Sequence, residues 1–140
     1  MGKINLKGVI IGGLVAGVVL NVVDFLLFGV MLKDQMAAMM AAMGKPAMST
    51  NTMIWYTFLD FVFGIYLVWV YAAIRPRFGA GPGTAVKAGL VTWVAVGLFH
   101  ALFEWPMSMM PQNTLILVTV VGLIQQPLAG VVGAKFYSEM

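Results

Sequence analysis

Four ionisable residues stand within long apolar stretches of this chain: Asp24, Asp60, His100 and Glu104. A charge at the centre of a membrane helix costs at least ~2.5–3.5 kcal/mol on insertion scales, so each one calls for an explanation. His100 and Glu104 are four residues apart, which puts both side chains on one helix face, and Asn21 and Asp24 are three apart with the same consequence. An imidazole near paired carboxylates is a seat for a relayed proton or a divalent cation. The plainer alternative is that these groups hydrogen-bond between helices and fix their packing. One imidazole and three carboxylates spread over three helices match no metal motif of fixed spacing, so metal ligands stay unassigned.

Methionine offers a second chemistry. The chain has 12, gathered mostly near one end of the apolar stretches, and Met36, Met39, Met40 and Met43 recur at helical spacing between alanines. Soft thioethers can hold Cu(I). Methionine is also a flexible filler, and a Met–Ala helix makes an adaptable apolar surface. Enzyme chemistry has no foothold. HExxH, P-loop, nucleophile-elbow and dinucleotide glycine motifs are all missing, and Ser49, Ser108 and Ser138 have no His–acid partner in sequence reach. With one histidine and no cysteine, bis-His haem within one chain, iron–sulfur clusters and disulfides are excluded, and no cofactor is expected.

The elements that must hold these residues follow from composition. The chain is 61% hydrophobic and 9% charged, against about 25% charged in an ordinary soluble domain. A protein this small cannot hide that much apolar surface from water. Its apolar residues fall into four runs, Val9 to Leu32, Met53 to Ile74, Ala85 to Trp105 and Thr114 to Phe136. Each is near the ~20 residues that cross a bilayer core. Backbone groups in lipid must bond internally, so the runs read as helices, and the fold class is all-α: one transmembrane domain of four helices over 1–140. The first run is longer than a secretory h-region and lacks a small-residue cleavage site, which reads as a retained helix. Breakers separate the runs at Gly44-Lys45-Pro46, Arg75-Pro76-Arg77 through Gly83, and Pro106 with Pro111. The Met–Ala segment between the first two runs predicts a short helix lying in the interface or folded on the bundle.

Lys3, Lys7, Arg75, Arg77, Lys87 and Lys135 fall on one side of this arrangement, and only Lys33 and Lys45 on the other. The positive-inside rule then puts both termini in the cytoplasm. At ~1.5 Å per residue, Asp24, Asp60 and His100 come to a common level in the outer half of the bilayer, with Glu104 nearer the surface. The expectation is one polar cluster shared by the first three spans. A basic run with interleaved aromatics is missing, so nucleic acid is not an expected partner. The net charge of +3 reflects a scarcity of acids.

Small residues four apart, Gly8 and Gly12, Gly13 and Gly17, and Gly130 and Ala134, let helix backbones approach closely. They serve packing within the bundle or docking on another subunit. Gln125-Gln126-Pro127 interrupts the fourth run, where proline frees a carbonyl and favours a bend. A faint repeat lays Gly13, Asp24 and Met31 over Gly89, His100 and Met107, and Asp60 and Gly64 over Gln126 and Gly130. It would make two hairpins of equal orientation.

Leu26-Leu27-Phe28-Gly29 closing the first span, Leu102-Phe103-Glu104 closing the third, and Gly130 with Gly133 in the fourth give the chain a layout that resembles small four-helix bacterial membrane proteins of the domain-of-unknown-function type. The resemblance implies a bacterial inner-membrane location and no catalytic residues. Two functions follow as expectations. The first is an accessory or scaffold subunit without catalytic activity, packing against other membrane proteins or a second copy of itself. The alternative is a proton or metal-cation transporter using Asp24, Asp60, His100 and Glu104.

Overall fold

The computed structural model describes residues 2–139, and their regular structure is entirely helical. Four helices are long and apolar enough to cross a membrane: α1 (Leu6–Met31), α3 (Thr50–Phe78), α4 (Pro82–Glu104) and α5 (Gln112–Ala134). The fifth, α2 (Lys33–Ala42), is the short Met–Ala helix expected between the first two spans. Local chemistry sets the starts. The Asn5 side chain accepts the Gly8 N–H at 3.1 Å, and the Ser49 hydroxyl accepts the Thr52 N–H at 3.2 Å, each satisfying a donor with no partner inside its helix. Pro82 occupies the first turn of α4, where its missing N–H costs nothing. The turn before it needs glycine, because Gly79 and Gly81 have φ of 84° and 123°.

Arg75-Pro76-Arg77, a breaker by its sequence, lies inside α3. The helix runs on to Phe78 because a proline within its final turns forfeits only one bond near an end already short of partners.

Small residues decide the packing. A Cβ on Gly12 would lie 2.6 Å from the Gly133 carbonyl oxygen, and one on Gly133 2.7 Å from that of Gly12, so α1 and α5 touch backbone to backbone. On a neighbouring face of α1, Gly13 meets the Ile65 backbone and Gly17 that of Phe61. Gly64 closes the same crossing against Gly13 and Gly17, joining α1 to α3. Gly89 against Pro127, and Gly130 against the Ala85 carbonyl, join α4 to α5. Around these crossings lie Val9, Ala16, Leu20, Leu67, Val68, Tyr71, Ala85, Ala88 and Ala129, all buried. α1 therefore packs on α3 and α5, and α4 packs on α5 and α3. The outward face is apolar, with Phe103 77% exposed, as suits contact with acyl chains rather than water.

One end of the bundle is tied by polar contacts. The Asn5 backbone N–H donates to the Tyr137 hydroxyl at 3.3 Å, and its side-chain amide donates to the Ser138 carbonyl at 2.9 Å. The Arg75 guanidinium lies over the Tyr137 ring and pairs with Glu139 at 3.7 Å. Tyr71 meets Tyr137 edge-on and accepts the Gly81 N–H. Both ends of the described chain thus meet beside the α3–α4 turn. At the opposite end α2 folds onto the start of α5, where the Thr114 hydroxyl donates to Gln35 Oε1 at 2.8 Å.

Candidate functional site

The α1–α3 crossing carries Asp24 and Asp60 to one place. The two carboxyl groups lie within hydrogen-bonding reach of each other. α5 adds a third member: Gln125 Nε2 donates to Asp24 Oδ1 at 2.8 Å and to the Leu20 carbonyl at 3.1 Å. Asn21, one turn below Asp24, donates to the Gly17 carbonyl at 3.0 Å and across to the Thr57 carbonyl of α3 at 3.3 Å. Asp24, Asp60 and Asn21 are half-buried, and Gln125 is buried. The result is a polar seam along α1, bonded on one side to α3 and on the other to α5.

His100 and Glu104 do not join it. The stretch of α4 that carries both, Phe99–Glu104, packs on α5 and not on α1 or α3, so it does not close on Asp24 or Asp60. The shared four-residue cluster expected from depth alone is thereby corrected to a carboxyl pair. Depth fixes how far a residue lies along the membrane normal, but the choice of neighbouring helix depends on packing faces. Glu104 instead acts locally. Its carboxylate accepts the Met110 N–H at 3.0 Å, and its carbonyl accepts those of Met107 and Ser108. Together these bonds close the α4–α5 turn. His100 lines a cleft of about 200 Å³ between α4 and α5, together with Trp93, Met110, Thr119, Gln125 and Gln126.

Two features near these residues depart from α-helical geometry. α1 is π-helical over Phe25–Met31, directly after Asp24, and α4 is π-helical over Trp93–Leu98, along the cleft wall. Such stretches widen a helix and occur frequently at functional sites.

No family model, curated protein or solved structure matches this chain. Its chemistry must therefore be read from its own geometry. Among the described residues, no group of three or more His, Asp and Glu side chains is placed to hold a metal ion. In α2, Met36, Met39 and Met40 are half-buried, while Met43 just beyond it is exposed. Met39 lines a cleft against the start of α5.

Gln125 escapes a reading of the sequence that treats Gln125-Gln126-Pro127 only as a bend. A signal is nevertheless present: two consecutive amides inside a membrane span need partners once buried. Gln125→Leu is expected to cost about 1–3 kcal/mol in a reversible unfolding measurement in micelles, because half-buried Asp24 and the Leu20 carbonyl both lose a donor. Most of that loss should vanish in an Asp24→Leu background; equal losses in both backgrounds would mean that the bond contributes nothing.

Proposed function

We propose that this chain is a small bacterial inner-membrane protein that moves protons, with the Asp24–Asp60 pair as its exchange site. The observation that carries the reading is the network Asp60–Asp24–Gln125 inside the membrane-spanning region. Two carboxyl groups can bond each other only through a proton. Their adjacency therefore makes a place where a proton is held and passed. In a low-dielectric setting that arrangement is costly, and intramembrane acids that persist at such cost mark ion or proton pathways. The donor set favours a proton over a metal, since only two carboxylates and one amide meet there.

Orientation follows from charge. Lys3, Lys7, Arg75, Arg77 and Lys135 lie at or near the end where the described termini meet the α3–α4 turn, and that end is cytoplasmic by the positive-inside rule. α2 then rests at the outer interface. The two hairpins read as repeats: Gly13 and Gly64 form the α1–α3 crossing, while their counterparts Gly89 and Gly130 take part in the α4–α5 crossing. The counterparts of Asp24 and Asp60 are His100 and Gln126, which share the α4–α5 cleft. Four helices enclose little space, so a pair of chains is the expected transporting unit.

An accessory-subunit role has less support. The glycines that would form docking faces, Gly12, Gly13, Gly17 and Gly130, are taken up by contacts within the chain. Gly8 faces Asn5 and Tyr137, and Ala134 packs on the core. The test is purified protein in liposomes containing a pH-sensitive dye, with a potassium diffusion potential imposed. Acidification several-fold faster than in empty vesicles is expected. A rate equal to that of empty vesicles would defeat the proposal.

A further inference from the structure

The α4–α5 cleft holds a feature that the proton reading does not use. Gln126 is only 7% exposed, lines the cleft, and has an amide oxygen with no hydrogen-bond partner among the described residues. Burying such a group unpaired is costly. Three of the neighbouring polar residues are engaged. The Trp93 indole N–H donates to the Thr119 carbonyl at 2.8 Å, the Thr119 hydroxyl donates to the Leu115 carbonyl at 2.7 Å, and Gln125 is held by Leu20 and Asp24.

We infer that this cleft binds a small, uncharged, lipid-soluble molecule consisting of one apolar ring and a hydroxyl group, of the phenol class. Size sets the first limit: the space is about 200 Å³, and a cavity of roughly 150 Å³ already holds benzene. Polarity sets the second. Val96, Met110, Leu115 and Val118 supply apolar walls, and water needs about two to four polar partners to stay in such a place. No carboxylate, lysine or arginine lines the cleft, so a cationic guest would lack a counter-charge, and the one ionisable lining residue, His100, is exposed rather than enclosed by it. A hydroxyl both donates and accepts, which matches a carboxamide in either rotamer. The Trp93 ring offers a flat partner for the guest's ring, and the π-helical turn with Gly97 forms the wall beside it. This inference stands independently of proton movement.

The probe is phenol, with toluene as the isostere that lacks the hydroxyl. Full-length protein in micelles, with Trp55, Trp69 and Trp105 changed to phenylalanine, leaves Trp93 as the sole tryptophan reporter. Saturable quenching by phenol is expected, with toluene at least tenfold weaker. Gln126→Leu should erase that preference, and Val118→Phe, which fills the cleft, should abolish saturable binding of both while the helical circular-dichroism signal is retained. A linear response typical of micelle partitioning, equal binding of the two probes, or indifference to Val118→Phe would overturn the inference.

Discussion

Gly64→Val is expected to dismantle the α1–α3 crossing and leave little folded protein in micelles. A Cβ at Gly64 would lie against the Gly13 carbonyl and 2.5 Å from the Gly17 nitrogen. Both are main-chain atoms, so no side chain can rotate away and the helices themselves must separate. Overpacking against flexible side chains costs ~1–3 kcal/mol. Here the cost should exceed that range, because separating the helices also breaks the contacts that bring Asp24 to Asp60. Gly83→Ala is the matched control. A Cβ there would meet nothing within 4 Å, and the residue lies in the first turn of α4, so stability should stay near that of the parent. Unfolding by steric trapping or heating separates the two outcomes. A Gly64→Val protein as stable as the parent would mean that α1 and α3 do not meet as described.

Asp60→Asn carries the largest expected effect on activity. Asparagine keeps the size of the side chain and its ability to bond Asp24, but cannot exchange a proton. Acidification of liposomes should therefore fall to the background of empty vesicles, while stability changes by less than about 1 kcal/mol. If the carboxyl pair served only to pack the helices, the opposite pattern would emerge: unchanged flux, with any loss confined to stability. His100→Ala separates the cleft from the pair. Its imidazole is not bonded into the Asp24–Asp60–Gln125 network, so its loss should reduce flux less than that of Asp60.

Much of this architecture is legible in the sequence because lipid leaves few choices. Each apolar run has to be a helix, and the Met–Ala periodicity of residues 36–43 points to the short α2. Depth is readable too, which is how Asp24 and Asp60 come to one level. Azimuth is harder to read. Both faces of a lipid-exposed helix are apolar, so the polar-versus-apolar contrast that orients a surface helix in water is missing. Depth alone therefore groups His100 and Glu104 with the aspartates, although the stretch of α4 that carries them packs on α5 rather than on α1 or α3. The better guide to azimuth is glycine. Gly12 and Gly13, adjacent in sequence, face α5 and α3 respectively, and together they fix the rotation of α1. Pro76 misleads in another way. An interior proline forfeits a backbone bond, yet near the C-terminus of α3 it is absorbed, and α5 also runs on through Pro127.

The arrangement joins fold to function through one crossing. Gly13, Gly17 and Gly64 bring the α1 and α3 backbones together, and that closeness lets two short aspartate side chains come within reach of each other. Gln125 then holds Asp24 from α5. Longer side chains at the crossing would separate the pair and leave each carboxylate alone in an apolar setting, where it would be costly and without a partner.

The most direct measurement is a double-mutant cycle on Asp24→Asn and Asp60→Asn, read as the initial rate of liposome acidification. Residues that act as one unit are non-additive, so each single change should remove nearly all of the flux above background and the double change should remove no more. Flux retained in the double variant, or losses that multiply as for two independent sites, would contradict a shared exchange site.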